Sequence, residues 1–200
     1  HLLKFKQLFK RISTKILKAI LLVPGFILFF FLKIFQPVFH LRVAIGDFER
    51  IGHYIHAELY LRKQKSGEYN PREFLIIVSN KTANKQLHRI FQRRLCLIDI
   101  DLLCLMATLV RSRTKKSSLW FELPYVDRYQ KVFDTIPPQI SFTEDEESKG
   151  KKLLEDMGIK NNVPIVCLHV RDKAYLHTIH NYRSPKEWAY HDYRNCNVEN

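Results

Sequence analysis

Two stretches near the C-terminus carry residue types that could bind phosphate and move protons. The first, residues 163–172 (VPIVCLHVRD), is an apolar run that ends in His169, Arg171 and Asp172. Because side chains alternate along a strand, His169 and Arg171 point to the same face, and an arginine can bind phosphate through two hydrogen bonds. An apolar strand with polar groups at its C-terminal end is typical of ligand sites in open α/β sheets. We expect phosphate binding here; the alternative is a structural ion pair of Arg171 with Asp172 or a neighbouring carboxylate.

The second stretch, residues 191–195 (HDYRN), is polar and has no helical or strand period. Tyrosines around it could line a sugar or base pocket, or only pack a loop. The histidines of this region match no standard metal spacing, so we expect no metal site. The pocket candidates of the region are Asp172, Tyr175, His191, Tyr193, Arg194 and Asn195.

A third candidate lies at residues 45–53 (IGDFERIGH), where a strand gives way to a helix. A turn between a strand and the helix that follows is a common place for a ligand loop. His53 could act as general base; the alternative is a hydrogen-bonded surface histidine. Gly52 inside a helix costs about 1 kcal/mol relative to alanine, which suggests close approach of a ligand or a packed strand. Gly46 and Arg50 complete the pocket candidates of this turn.

Apolar and polar patterns predict the elements that position these residues. The three strands before the C-terminal one are short and apolar, and amphipathic helices separate them. Strands are expected at residues 41–45, 74–78, 95–98 and 165–170, and helices at residues 48–65, 80–94, 101–110 and 143–157. This order predicts an α/β fold with a Rossmann-like parallel sheet and helices on both faces. Residues 111–118 read as a basic loop, and residues 120–129 are ambiguous.

The N-terminal 39 residues are expected to form a membrane anchor. Residues 2–16 have the pattern of a basic amphipathic helix, and residues 19–32 carry no charge. Fourteen residues of helix reach only about 21 Å, and Pro24 is expected to break or kink the helix. Three alternatives are open: a single span in which Lys18 and Lys33 snorkel, a re-entrant or in-plane anchor, and a buried core helix. A cleaved signal peptide fits poorly because bulky residues follow the apolar run.

Charge is distributed unevenly along the chain. The formal net charge is +13, yet residues 1–42 contain no acidic residue. The basic residues of that segment are Lys4, Lys6, Lys10, Arg11, Lys15, Lys18, Lys33 and Arg42. Because this run leads into an apolar one, membrane lipid is the expected partner rather than nucleic acid. The four cysteines have no disulfide or zinc spacing, which favours a reducing compartment.

Three segments together resemble a bacterial family of glycosyltransferases. They are RIGHYIHAEL at residues 50–59, VPIVCLHVRDKAYL at residues 163–176 and HDYRNCNVEN at residues 191–200. The HVRD strand end is also similar to the H-x-R strand of O-fucosyltransferase-like enzymes, whose fold is GT-B-like. The resemblance covers about residues 40–200, and it implies that Arg171 approaches the phosphate of the donor.

The resemblance implies a membrane-associated glycosyltransferase that moves a sugar from a nucleotide-sugar donor to a cell-surface polysaccharide or a lipid-linked acceptor. Arg171 would stabilise the departing diphosphate without a metal or other cofactor, and His53 or Asp192 would deprotonate the acceptor. We expect an anchor at residues 1–39, the N-terminal half of a GT-B-like fold at residues 40–200, and a second half beyond Asn200. The expected location is the bacterial inner membrane, with the catalytic domain in the cytoplasm. The alternative is a non-catalytic, membrane-tethered scaffold in envelope assembly.

Overall fold

The computed structural model describes residues 2–125 and 130–159, and the single residues Pro164, Ser184, Lys186 and Ala189. Helices alternate with three short strands along the chain. The helices are α1 (Leu2–Phe39), α2 (Tyr54–Lys65), α3 (Lys85–Gln92), α4 (Asp101–Arg111), α5 (Gln130–Thr135) and α6 (Glu144–Asp156). The strands are β1 (Leu41–Ile45), β2 (Phe74–Ser79) and β3 (Cys96–Asp99), and a 3-10 turn, Ile51–His53, precedes α2.

The three strands form one parallel sheet in the order β1-β2-β3. Val43 pairs with Ile76 across β1 and β2, and Ile77 pairs with Leu97 across β2 and β3. The strands predicted at residues 41–45, 74–78 and 95–98 are therefore confirmed to within one residue. The predicted α/β class with a parallel sheet is confirmed as well.

Helices cover both faces of this sheet, as the sequence pattern predicts. Because strand side chains alternate, Ala44, Leu75 and Ile77 face one side and join a core with α2 and α3. Val43 and Val78 face the other side and join a core with α1 and α4. Each strand of the β1–β2 pair thus has buried side chains on both faces, which explains why β2 is apolar from Phe74 to Val78 and β1 is apolar except at Arg42.

Helix boundaries differ from the predicted ones where a local contact ends or delays the helix. The helix expected from residue 80 begins at Lys85, because the Asn84 side chain accepts a hydrogen bond from the Leu87 backbone N–H at 2.9 Å and caps it. The helix expected from residue 48 begins later, because Phe48 turns into the core and stacks on Tyr54 with ring centroids 4.4 Å apart. Helix α5 was not predicted. The strand predicted at residues 165–170 lies outside the described residues.

Helix α1 is continuous from Leu2 to Phe39, so of the predicted break or kink at Pro24 the break is wrong. Proline removes only its own backbone donor, and the turns on either side keep theirs. Packing against the rest of the domain also favours a continuous helix at this point. A Cβ atom at Gly25 would stand 2.8 Å from Val110 Cγ2 of α4, so the α1 backbone packs directly against the domain at this point.

Residues Leu17–Phe39 of α1 are long and apolar enough to cross a membrane or to serve as a signal sequence. The segment has 23 residues, or about 35 Å of helix, and is longer than the charge-free fourteen residues alone. Of the 18 most apolar consecutive residues in this segment, only 17% are buried. Leu21 and Phe29 are buried on the domain side, whereas Ile27 and Ile34 on the outer side are 67% and 70% exposed. The helix therefore has one face in the core and one face open.

The outer edge of β1 is occupied by the segment that the sequence left ambiguous. Val43 and Trp120 form a parallel bridge, with hydrogen bonds from the Val43 N–H to the Leu119 carbonyl at 2.7 Å and from the Phe121 N–H to the Val43 carbonyl at 2.8 Å. Pro124 follows, and it cannot continue a ladder of this kind. The segment is a one-residue bridge rather than a strand.

Two compact units divide the chain, His1–Glu144 and Asp145–Asn200. The first contains the sheet, both cores and α1. Most residues of the second lie outside the described part of the chain, and its described portion is chiefly the rest of α6. Six of the first eight residues of α6 are charged, as suits an exposed helix. Within it Lys149 and Asp145 form an exposed ion pair at 3.8 Å.

Candidate functional site

The carboxyl ends of the three parallel strands meet at one edge of the sheet and carry polar residues. Strand β1 leads into Gly46 and Asp47, β2 ends at Ser79 and β3 ends at Asp99. Open parallel sheets bind ligands at this edge, because the strands stop there and the following helices begin. We take it as the candidate functional site.

His53 is held at this edge by a carboxylate, in an arrangement that suits a general base. Its Nδ1 lies 3.1 Å from the Asp47 backbone carbonyl and 3.2 Å from Asp47 Oδ2. Both partners accept hydrogen bonds, so in the neutral ring Nδ1 carries the proton and Nε2 keeps its lone pair. The Asp47 side chain also accepts from the Glu49 backbone N–H at 3.1 Å, which fixes the turn. The sequence candidate His53 thus has the geometry expected of a base.

Aromatic rings extend the surface next to His53. The His53 and His56 ring centroids are 6.4 Å apart, and His56 stacks on Tyr125 at 5.2 Å. His56 Nδ1 is hydrogen-bonded to the Pro124 carbonyl at 2.9 Å, which orients that ring. Tyr125 is 66% exposed. This exposed flat ring is an apolar platform with a polar tip, and such platforms suit ligands that combine apolar faces with hydroxyl groups.

A second set of polar side chains at the same edge is linked by hydrogen bonds, and the sequence analysis did not predict it. Thr82 donates its hydroxyl proton to Asp99 Oδ2, and Ser79 Oγ lies 3.5 Å from Asp99 Oδ1. Tyr54 is hydrogen-bonded to Thr82, and its hydroxyl lies 3.0 Å from Nδ1 of His88. The chain joins β2, β3, α2 and α3 through their side chains.

Burial determines the protonation of the two titratable groups inside this chain. Burial raises the pKa of Tyr54 to about 12, against the effect of the Thr82 hydrogen bond, so its hydroxyl is protonated at neutral pH. Thr82 gives its single proton to Asp99, and the Tyr54 hydroxyl and His88 Nδ1 share a hydrogen bond whose donor depends on the His88 tautomer. Burial also lowers the pKa of His88, despite the opposing charge of Asp99, so this imidazole is neutral. Its Nε2 is buried and has no hydrogen-bond partner among the described residues.

The two candidate glycines have different environments. A Cβ atom at Gly46 would lie 2.7 Å from Ile77 Cγ2 and 2.8 Å from Phe48 Cε2, so Gly46 is needed for core packing. At Gly52 an added Cβ would meet no described atom within 4 Å, and the residue is exposed. A packed strand of the described fold therefore does not explain Gly52. Arg50 is exposed, and its carbonyl accepts the His53 backbone N–H at 3.1 Å.

The remaining sequence candidates lie outside the described residues, so the structure does not bring them to this edge or separate them from it. Most belong to the HVRD and HDYRN segments. They are His169, Arg171, Asp172, Tyr175, His191, Asp192, Tyr193, Arg194 and Asn195.

Within residues 2–125 and 130–159, no group of three or more His, Cys, Asp or Glu side chains could hold a metal ion. An apolar cavity of about 340 Å³ lies between α1, α4 and the sheet, with walls that include Phe29, Met106 and Trp120. Its lining suits an apolar group rather than a charged nucleotide.

Part of this set of hydrogen-bonded side chains could have been predicted from the sequence. Ser79 and Asp99 directly follow apolar strands, as Gly46 and Asp47 do after β1. His88 and Tyr54 gave no such signal, because each occupies a core position on an amphipathic helix.

Comparison with known proteins yields no relative. The chain matches no protein-family model, no curated protein and no solved structure.

Proposed function

We propose that the protein is a membrane-associated glycosyltransferase that uses the carboxyl edge of its parallel sheet to bind a sugar acceptor. The observation that carries the proposal is the His53–Asp47 pair, with Nδ1 held by the carboxylate and the backbone carbonyl and Nε2 left as the base. Glycosyl transfer needs such a base to take the proton from the acceptor hydroxyl as the new bond forms. The aromatic surface at His56 and Tyr125 lies beside it.

Fold topology supports the same proposal. A parallel sheet in the order β1-β2-β3, with a parallel bridge on the outer edge of β1, follows the strand arrangement of a doubly wound sheet. In a Rossmann-like half of a GT-B-like enzyme, the carboxyl edge faces the cleft. Arg171 is proposed to stabilise the departing diphosphate of the nucleotide-sugar donor from the HVRD strand, without a metal.

The apolar helix supports a membrane location. Anchoring would suit a lipid-linked or envelope acceptor, since both enzyme and acceptor chain would then sit at one surface. We place the protein at the bacterial inner membrane, with the sheet domain in the cytoplasm, where nucleotide sugars are made.

Nucleotide release tests the proposal. The detergent-solubilised protein is incubated with UDP- and GDP-linked sugars, with and without a bacterial lipid and glycan extract as acceptor. We expect one donor to release its nucleotide faster when the extract is present. His53→Gln is expected to lower that rate by about 10²- to 10⁴-fold, the usual contribution of a general base.

A second histidine provides the control. His40 is exposed at the amino-terminal edge of β1 and has a φ of 49°, which asparagine also tolerates. His40→Asn should keep the full rate. No release from any donor would favour the non-catalytic scaffold, and an unchanged rate in His53→Gln would remove the proposed base.

A further inference from the structure

Helix α1 contacts the sheet domain along most of its apolar length. Leu21, Gly25 and Phe29 follow one another at four-residue steps on the inner face, and all three are buried. Phe29 stacks on Trp120 with ring centroids 6.0 Å apart. The absence of a Cβ at Gly25 lets the helix backbone approach Val110 of α4. This face belongs to the core and is unavailable to lipid.

Polar contacts fasten the C-terminal part of α1 to the same domain. Lys33 Nζ donates to Ser118 Oγ at 2.7 Å, and Gln36 Nε2 donates to the Ser118 carbonyl at 2.8 Å. Gln36 Nε2 also donates to the Leu41 carbonyl at 3.1 Å. The attached part runs from Leu21 to Gln36, or about 22 Å of helix.

This attachment restricts how the helix can meet a bilayer. A helix perpendicular to the membrane over Leu17–Phe39 would carry β1, α4 and the loop at Ser118 into the hydrocarbon layer. Irregular backbone and charged side chains such as Arg42 are not tolerated there when they face lipid. A helix parallel to the membrane keeps the domain in water and still exposes its other face to lipid.

The outer face of α1 is apolar and exposed from Leu17 to Phe39. Ile20, Ile27 and Ile34 are two turns apart and are 61%, 67% and 70% exposed. The other exposed apolar residues of this face are Val23, Phe30, Phe31 and Val38. A continuous stripe of this kind on a water-soluble surface is unfavourable unless something covers it.

Charge indicates an anionic bilayer as the covering partner. Residues 1–42 carry eight basic and no acidic residues, and Lys18 at the start of the apolar segment is exposed. At the other end, Lys33 is bonded to Ser118, which follows the exposed Lys115 and Lys116 of the loop. Basic groups thus lie near both ends of the stripe, where they could contact lipid phosphates.

From these contacts we infer that α1 lies in the plane of an anionic membrane surface, with its outer stripe among the upper acyl chains and its inner face packed on the sheet. This inference rests on the membrane association in the proposed function but not on the transferase activity. It selects the in-plane anchor over the single span.

The orientation of α1 can be tested by measuring how deeply three of its residues lie in the bilayer. Nitroxide labels are placed at Ile20→Cys, Ile27→Cys or Ile34→Cys in a chain whose four native cysteines are replaced by alanine. The protein is bound to vesicles of phosphatidylcholine and phosphatidylglycerol, and depth is measured from oxygen and nickel-chelate accessibility. We expect equal, shallow depths at the three positions. In a span, Ile20 and Ile27 would differ by about 10 Å along the membrane normal, and that result would overturn the inference.

A matched pair of substitutions tests the surface itself. Ile27→Glu is expected to weaken partitioning into these vesicles roughly tenfold or more, because it removes an exposed apolar side chain that the inference places among the acyl chains. Ile51→Glu is the control, since Ile51 is 60% exposed but lies at the carboxyl edge of the sheet. It should bind as the unmodified chain does.

Other results would also count against the inference. Equal loss in both variants, or equal binding to vesicles of phosphatidylcholine alone, would remove the anionic membrane as the specific partner. A detergent-free dimer that dissociates in Ile27→Glu and does not bind vesicles would assign the stripe to a second copy of the chain. Failure of nucleotide release leaves these readouts unchanged, so the two proposals are tested separately.

Discussion

His53 and His88 show how one sheet edge gives two imidazoles different chemistry. His53 is part-exposed, and its Nδ1 faces the carbonyl and the carboxylate of Asp47, so in the neutral ring its other nitrogen keeps the lone pair. His88 is 5% exposed, and its Nδ1 is engaged by Tyr54. The first arrangement suits proton transfer to solvent or substrate. The second keeps a neutral ring inside the core and ties α3 to the ends of β2 and β3.

The burial of His88 predicts a pH dependence of stability. Burial lowers the pKa of His88 below the ordinary value of 6.5, so the unfolded chain binds a proton more readily than the folded chain does. Stability from this group is therefore complete above about pH 6.5 and is lost as the pH falls through that value toward the lower, folded pKa. One such group changes the free energy of unfolding by at most about 1.4 kcal/mol per pH unit.

Urea unfolding at several pH values between about 7.5 and 5.5 measures this effect. The His88→Gln variant should be less stable at the upper end but should lose less stability on acidification than the unmodified chain. Parallel curves for the two proteins would show that His88 is not the group responsible.

The two glycines of the first strand-to-helix turn predict opposite outcomes. Gly46→Ala should lower the free energy of unfolding by about 1–3 kcal/mol, because the added methyl group meets Ile77 and Phe48. Gly52→Ala should be neutral or up to about 1 kcal/mol more stable, because the position is open and the unfolded chain loses freedom. Denaturant unfolding of both variants measures the contrast, and equal destabilisation would contradict it. A loss of nucleotide release in Gly52→Ala alone would identify a ligand as its close neighbour.

At the scale of the elements, the sequence predicts what depends on local pattern and misses what depends on tertiary contacts. Strands β1, β2 and β3 are short apolar runs between turn residues, and all three were predicted to within one residue. The start of α3 required Asn84 as a cap, and the start of α2 required the insertion of Phe48 into the core. The polar chain through Tyr54 and His88 joins residues 34 positions apart, which no local pattern indicates.

Helix α2 also holds a distant segment through buried charge. Arg62 Nε donates to Glu58 Oε1 at 2.8 Å, and its Nη1 donates to the Phe133 carbonyl at 2.9 Å. Glu58 Oε1 accepts the Gln139 backbone N–H at 2.9 Å. The guanidinium also lies over the Phe133 ring, 4.7 Å from its centroid. One ion pair thus fixes α5 and the turn after it on α2.

Removing one member of this pair should be costly. Arg62→Met leaves the Glu58 carboxylate buried without its cation, which typically costs about 3–5 kcal/mol. The exposed pair in α6 gives a control with the same spacing, and Lys149→Met should change stability by less than about 1 kcal/mol. Urea unfolding distinguishes the two, and similar small losses would show that Arg62 is solvated in solution.

At the scale of the whole molecule, α1 is both a wall of the core and the apolar surface of the protein. Val43, Val78 and Trp120 on the sheet side are covered by this helix and α4. If α1 served only as a membrane tether, another part of the protein would have to cover this face of the sheet. The helix is therefore expected to be required for folding as well as for membrane association, and these two contributions can be separated along its length.

Two truncations make that separation. Removal of residues 1–39 exposes the α1 side of the core, so the remaining chain should bind a hydrophobic dye strongly and elute as aggregates in size-exclusion chromatography. Removal of residues 1–16 takes away five lysines and arginines but keeps the packed segment from Leu17 onward. This shorter truncation should keep the unfolding transition in detergent and lose affinity for phosphatidylglycerol vesicles by about 1 kcal/mol for each basic residue near the surface. If the longer truncation remained a soluble monomer with an unchanged transition, α1 would be a tether rather than part of the fold.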